Sequence, residues 1–128
     1  MRRGDDTGHR EGEARHAGFL RRAKEIASGF EAVAEGAGAP RTALALLENP
    51  VHVYDDPERG VDKGVVLAWC HGKNPEALVC IEFYADSRTS VELTKLANAG
   101  VTLEGHGRTW ATPQGPGDPR GPYWSFVL

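Results

Sequence analysis

Cysteine and histidine are the residues of this chain best suited to redox, metal or nucleophilic chemistry. The sequence holds two cysteines, Cys70 and Cys80, and five histidines. A structural zinc site uses closely spaced ligands such as Cys-x-x-Cys, and Cys70-His71 followed by a distant Cys80 does not supply them. We therefore expect no metal and no cofactor. The simplest interpretation is two reduced, packed thiols, and a disulfide between them stays open.

Three of the histidines, His52, His71 and His106, fall near the ends of predicted strands. Their convergence would create a catalytic base or a set of ligands, and the sequence leaves open whether they meet. No His-Glu-x-x-His motif and no Gly-x-Ser-x-Gly elbow occurs, and the glycine-rich stretches lack the Lys-Ser/Thr ending of a phosphate-binding loop. These absences favour a non-enzymatic function over an enzyme, and we assign no catalytic residue.

A cluster of acidic residues lies in the predicted turn after residue 54, at Asp55, Asp56, Glu58 and Asp62. A calcium loop places oxygen ligands at alternate positions with a glycine at the sixth, and the proline at the third position here breaks that pattern. The cluster is typical of a solvated turn. Its second interpretation is an interaction surface for a basic partner.

The C-terminal segment is apolar and aromatic, with Tyr123, Trp124 and Phe126 close to the last residue. Such a segment rarely hangs free in water. We expect it to form a last strand or to insert into a groove of a partner. With the acidic cluster, these three residues are the candidate binding residues.

The overall charge and hydropathy limit the partners and the location. A formal net charge of −3 argues against nucleic acid, since phosphate-binding proteins carry a basic excess or a basic stripe. We see no apolar run long enough for a membrane span and no apolar core of a secretory signal near the N-terminus. We therefore expect a cytoplasmic protein with a protein partner or a homodimer, without nucleic acid or membrane.

Helical periodicity sets in at Ala14 and predicts an amphipathic helix up to about Glu35, ended by Gly36-Ala37-Gly38. Residues 1–13 have little apolar content and are predicted to be a flexible arm, which leaves 14–128 as a single domain. The apolar stripe of the helix consists of Phe19, Ala23, Ile26, Ala27, Phe30, Val33 and Ala34.

A short second helix is predicted next. Pro40 suits a first helical position, Leu44 and Leu47 belong to a buried side, and Asn49-Pro50 ends the helix.

The second half of the chain predicts an antiparallel meander. Residues 51–54 alternate, 65–70 and 78–84 flank a polar loop as a hairpin, and 89–94 form a third strand. Symmetric pairing about the loop places Leu67 opposite Ile81, so that one face is wholly apolar. Further strands are predicted at 101–104 and 108–111, with a proline-rich loop at 112–122. The predicted fold class is α+β, with the helices packed on a meander of about four to six strands.

The middle of the chain resembles a meander of small bacterial proteins that have no assigned function. In those proteins a G-V-x-L-x-W strand precedes an L-x-I-E-F-x-x-D-G strand and turn. Here the first strand reads Gly64-Val65-Val66-Leu67-Ala68-Trp69, and the turn has Asp86-Ser87 in place of Asp-Gly. The resemblance covers about residues 50–95 and implies the architecture alone.

Two functions follow as hypotheses. The first is a non-enzymatic protein-binding domain, such as an immunity protein, an antitoxin or a phage-encoded inhibitor, which the small size and acidic balance favour. The second is a ligand binder or enzyme of cystatin-like or NTF2-like shape. Its pocket would lie between helix and sheet, lined by Phe19, Phe30, Trp69 and Phe83 with Tyr54 or His52 inside.

Overall fold

The chain begins with one long helix. In a computed structural model that describes residues 3–36, 39–96, 100–112 and 123–128, helix α1 spans Arg3–Ser28. Residues 3–13, predicted to be a flexible arm, therefore belong to the helix, while residues 1 and 2 lie outside the described residues. Among the described residues, no helix combines the length and apolar character needed to cross a lipid bilayer.

The rest of the described chain is almost entirely β-strand. A short 3-10 helix, Pro57–Arg59, lies between the fourth and fifth strands. In chain order the strands are β1 (Phe30–Gly36), β2 (Ala39–Ala43), β3 (Ala45–Leu46), β4 (His52–Asp56), β5 (Val61–His71), β6 (Asn74–Tyr84), β7 (Thr89–Lys95), β8 (Gly100–Gly105), β9 (Arg108–Thr112) and β10 (Tyr123–Val127).

The strands form two antiparallel sheets. The smaller sheet is four-stranded in the order β2-β1-β8-β9. The larger is six-stranded in the order β10-β7-β6-β5-β3, with β4 also paired to β5. The predicted α+β class is confirmed, and the helix packs on antiparallel sheet as expected.

Helix and both sheets share one apolar core. The helix contributes Ala23, Ile26 and Ala27, and the smaller sheet contributes Val101 and Leu103 among others. The larger sheet contributes side chains that are fully or almost fully buried: Val65, Leu67, Trp69, Ala77, Val79, Ile81, Phe83, Val91 and Leu93. We call this side of the larger sheet its inner face. We call the opposite side its outer face.

The predicted end of the first helix is wrong, because α1 ends at Ser28 and residues 30–35 form β1. Phe30 and its neighbours fit a period of two as well as one of 3.6, since Phe30, Ala32 and Ala34 are buried while the glutamates between them are exposed. Ser28 and Gly29 are poor helix formers at the junction. Pairing with β8 along its length then fixes the segment as a strand.

The predicted second helix is also wrong, since this segment forms β2 and β3. Leu44 and Leu46 are half-buried while Ala43, Ala45 and Leu47 are exposed, which is strand alternation. The Leu44 N–H donates to the Ala32 carbonyl at 2.8 Å, and the Leu47 N–H donates to the Ala68 carbonyl at 2.8 Å. The chain thus passes from the smaller sheet to the larger one within this segment.

The central hairpin has the predicted faces but a different register. Leu67 lies opposite Val79 rather than Ile81. The shorter turn, which pairs His71 with Asn74, shifts the register by three residues, and the irregularity between Trp69 and Cys70 shifts it back by one. Gly72 takes a positive φ of 62° in this turn, which glycine adopts without strain. A displacement of two residues keeps every side chain on its face, so Leu67 and Ile81 share the inner face as predicted.

The remaining strand predictions agree with the structure. The predicted strands at 89–94, 101–104 and 108–111 correspond to β7, β8 and β9. The C-terminal segment forms a last strand, β10, paired with β7. Most of the predicted proline-rich loop, residues 113–122, lies outside the described residues.

Truncation of a core leucine tests the shared core. Leu67 has no solvent-exposed surface, so Leu67→Ala should lower the free energy of unfolding by about 2–5 kcal/mol. Leu96→Ala is the matched control, since Leu96 is 49% exposed and should cost less than about 1 kcal/mol. Urea denaturation of both variants measures the difference, and equal losses would contradict the proposed core.

Candidate functional site

The outer face of the larger sheet carries a polar groove of about 490 Å³. Because successive side chains of a strand point to opposite sides, the residues of β6 that alternate with the core positions line it. We call this feature the outer-face groove. Its lining consists of Tyr54, Arg59, Cys80, Glu82, Tyr84, Ser90, Glu92 and Ser125.

Glu82 is the most buried charged group of the groove, with a side chain that is 12% exposed. Its Oε2 accepts hydrogen bonds from the Tyr54 hydroxyl at 2.5 Å and from Arg59 Nη2 at 2.6 Å. Its Oε1 accepts from the Tyr84 hydroxyl at 2.9 Å and from Arg59 Nη1 at 3.3 Å. Burial alone would raise the pKa of Glu82, but these donors together lower it below its ordinary value. Glu82 is therefore a carboxylate at neutral pH.

Arg59 is held in place from both sides. It ends the 3-10 helix, and Gly60 follows with a left-handed φ of 75° that turns the chain into β5. The Arg59 Nε donates to Asp56 Oδ2 at 2.6 Å while its two terminal nitrogens reach Glu82. The hydrogen bonds that Arg59 donates to Glu82, and secondly to Asp56, raise its pKa still further above neutrality. The guanidinium is fixed between two carboxylates.

Tyr54 reaches Glu82 by lying across the intervening strand β5 at Gly64. Gly64 is the pairing partner of both Tyr54 on β4 and Glu82 on β6. A β-carbon built on Gly64 would lie 2.2 Å from Cζ of the Tyr54 ring, which no real side chain allows. The bare backbone at Gly64 is therefore the condition for the hydrogen bond between Tyr54 and Glu82.

The Tyr54 hydroxyl also lies 3.2 Å from the Cys80 sulfur. Its single proton is donated to Glu82, so the Cys80 thiol donates to the Tyr54 oxygen. Burial raises the pKa of Tyr54, and its hydrogen bonds to Cys80 and Glu82 raise it further. Burial likewise raises the pKa of the Cys80 thiol. Both groups keep their protons at neutral pH.

The other end of the groove is formed by β7 and β10. Ser90 lies opposite Glu82 on β6, and Glu92 lies between Cys80 on β6 and Ser125 on β10. Within the described residues the Glu92 carboxylate has no hydrogen-bond or ion-pair partner, and the residue is exposed. The groove thus runs from a fully paired cluster at Glu82 to an unpaired carboxylate at Glu92.

The protonation states of the groove suit binding better than reaction. A nucleophilic thiol needs a lowered pKa, and a general base needs a free lone pair near neutrality. Cys80 has a raised pKa, and the oxygens of Glu82 already accept four hydrogen bonds. The groove offers hydroxyl groups, one carboxylate and a fixed guanidinium as ready hydrogen-bonding groups.

The four residues of the predicted acidic cluster have different partners. Asp56 is tied to Arg59, and Asp62 accepts from Arg15 of α1 at 2.9 Å. Asp55 and Glu58 are exposed. Asp56 contributes to the groove by positioning Arg59, and the other three are not among its lining residues.

Two residues of the predicted aromatic C-terminus, Trp124 and Phe126, lie against other aromatic side chains. Trp124 stacks on Trp110 at 6.5 Å between ring centroids, and Phe126 meets Phe30 edge-on at 6.1 Å. Both pack against the shared core. Tyr123 pairs through its backbone with Thr94. Ser125, between the two aromatic residues, points to the opposite face and lines the groove.

The histidines and cysteines have separate surroundings. His52 stacks on Tyr54 at 5.5 Å, His71 is exposed at the hairpin, and His106 Nε2 lies 2.8 Å from the Ile26 carbonyl at the end of α1. In the part of the chain that is described, no group of three or more His, Cys, Asp or Glu is placed to hold a metal ion. Cys70 and Cys80 are both free thiols, as the simpler interpretation expected.

The aromatic residues predicted to line a pocket between helix and sheet are in contact with one another. Phe19 lies 5.2 Å from Phe83 and Phe30 lies 6.1 Å from Trp69, measured between ring centroids. Tyr54, the polar residue expected inside, lines the groove on the outer face instead.

Sequence reasoning missed the groove, although two signals pointed to it. Glu82 interrupts the part of β6 from Ala77 to Tyr84, whose other residues are apolar, aromatic or cysteine, and a charge at such a position needs partners. Gly64 lies within β5, directly before its apolar run, and a glycine within a strand indicates close approach by another group. Arg59, Ser90, Glu92 and Ser125 gave no signal, because only the strand pairing brings them together.

A double-mutant cycle tests the crossing of Tyr54 over Gly64. Gly64→Ala should destabilise the protein by about 1–3 kcal/mol, because the new methyl group displaces the Tyr54 ring. In a Tyr54→Ala background the same change should cost clearly less. Gly18→Ala is the control, since nothing lies within 4 Å of that position and alanine favours a helix. Equal costs of Gly64→Ala in both backgrounds, measured by chemical denaturation, would contradict the crossing.

Comparison with known proteins adds no relative: no protein-family model matches the chain, and neither a curated protein nor a solved structure matches it significantly. We therefore infer function from the groove itself.

Proposed function

We propose that this protein is a non-enzymatic binding protein that contacts a protein partner through the outer-face groove. Immunity proteins, antitoxins and phage-encoded inhibitors are the classes that fit a small acidic chain of this kind. The proposal depends on one observation. The hydrogen-bonded side chains around Glu82 keep one another in the protonation states that such groups have in water at neutral pH. A site built in this way presents fixed polar groups without activating any of them.

The fixed geometry of the groove supports the proposal. Binding costs free energy when side chains must be ordered, and a surface that is already ordered avoids part of that cost. Arg59 and Tyr54 are immobilised by their bonds to Glu82 before any partner arrives. The groove is also open to solvent, since its lining residues Arg59 and Glu92 are exposed.

A small polar ligand is the second candidate. A volume of about 490 Å³ falls within the range of small-molecule sites. Such sites are mostly apolar, however, while the lining residues here all carry a polar atom or a thiol. We therefore rank this candidate below a protein partner.

Obstruction of the groove tests both candidates. Ser125→Trp places a bulky ring in the groove, and Thr109→Trp is the matched control at an exposed hydroxyl residue on β9 of the smaller sheet. We expect affinity purification from the native host to recover one partner with the wild type and the control. Recovery with Ser125→Trp should fall at least about tenfold, which corresponds to about 1.4 kcal/mol of binding free energy.

The proposal fails if the partner is recovered equally with all three proteins, or if none of them recovers a partner. A small molecule seen by native mass spectrometry on the wild type and the control, but not on Ser125→Trp, would favour the second candidate instead.

A further inference from the structure

The balance of charge along the groove differs between its two ends. At the Glu82 end, Arg59 faces two carboxylates, those of Glu82 and Asp56, at 2.6 Å each. One guanidinium thus faces two carboxylates, so the charges of this end sum to −1. An anionic ligand would therefore meet a net negative charge there.

Glu92 supplies the negative charge of the other end. It is an acid whose cross-strand neighbours are uncharged, with Cys80 on one side and Ser125 on the other. Ser90 precedes it by two residues on the same strand and lines the same groove. Burial is the main cause of the raised pKa of Cys80, and the negative charges of Glu82 and then Glu92 contribute to it. The field of Glu92 therefore acts within the groove and not only toward bulk solvent.

Glu82 does not compete with Glu92 for a ligand. Each Glu82 oxygen already accepts one hydrogen bond from a tyrosine and one from Arg59. A carboxylate has about four lone-pair positions, so Glu82 has none to spare. Among the lining residues, Glu92 is the acid left to receive a donor.

We propose that the groove recognises a cationic side chain, arginine or lysine, presented by the partner protein, with its N–H groups bound by the Glu92 carboxylate. This inference rests on the proposed function. Charge complementarity supports the inference of cation recognition, since a carboxylate in a groove pairs best with a charged N–H donor. The hydroxyl groups of Ser90 and Ser125 accept from the N–H groups that Glu92 leaves free. Arginine, with five donors, can use all three acceptors at once.

Short peptides test the inference directly. The probe is acetyl-Gly-Gly-Arg-Gly-Gly-amide, and the same peptide with citrulline in place of arginine is a neutral control of nearly equal shape. We expect the arginine peptide to shift the backbone amide NMR signals of Cys80, Glu92 and Ser125 at low ionic strength. The citrulline peptide should bind at least about tenfold more weakly, as expected when a charged hydrogen bond becomes a neutral one.

Two protein variants locate the effect. Glu92→Gln should weaken binding of the arginine peptide at least about tenfold. Glu104→Gln removes an exposed carboxylate from β8 of the smaller sheet and should leave the affinity unchanged. The inference is overturned if both variants bind like the wild type, or if both lose affinity equally.

The outcomes separate this inference from the proposed function. Equal shifts with the arginine and citrulline peptides, or stronger shifts with a glutamate peptide, overturn cation recognition but leave the groove as a binding site. If agmatine binds as tightly as the arginine peptide, the claim that a partner protein presents the cation is overturned. If no peptide shifts any groove signal, the inference fails, while loss of the host partner with Ser125→Trp would still uphold the proposed function.

Discussion

The arrangement of side chains on the outer face of the larger sheet depends on one carboxylate, Glu82, which needs hydrogen-bond donors. Glu82 lies within a strand, with a side chain that is only 12% exposed, so its charge must be satisfied by protein groups. Arg59 comes from the turn before β5, Tyr54 crosses β5 over Gly64, and Tyr84 lies two residues further along the same strand. A change at any of these positions alters the environment of Glu82.

The two faces of β6 have different roles: one contributes to the core and the other lines the groove. Val79, Ile81 and Phe83 have almost no exposed surface and join the core under α1 and the smaller sheet. Cys80 and Glu82 alternate with them and line the groove. Because the alternation is strict, the core that fixes the strand also fixes the spacing of the groove residues. The stability of the fold and the shape of the binding surface are thus coupled through one strand.

The sequence was sufficient for the parts of the fold that depend on local pattern. The stripe from Phe19 to Ala27, the two faces of the hairpin and the later strands follow from periodicity alone, and the structure agrees. The pattern predicts helices at Phe30 and Leu44, because short apolar segments fit both periods. Only pairing with distant strands decides between helix and strand there. The sequence pattern does not predict the groove, for the same reason. Tyr54 and Glu82 meet only once β5 lies between their strands in the correct register.

The pKa of Glu82 is the most direct test of this account. A carboxyl NMR titration should give a pKa below the ordinary glutamate value of about 4.3 in the wild type. In Arg59→Gln that pKa should rise, because burial remains while the charged donor is lost. Arg41→Gln is the control: Arg41 lies on β2 of the smaller sheet and pairs with Glu35, so its loss should leave the pKa of Glu82 unchanged. A wild-type value at or above the ordinary one, or no response to Arg59→Gln, would contradict the central role of this carboxylate.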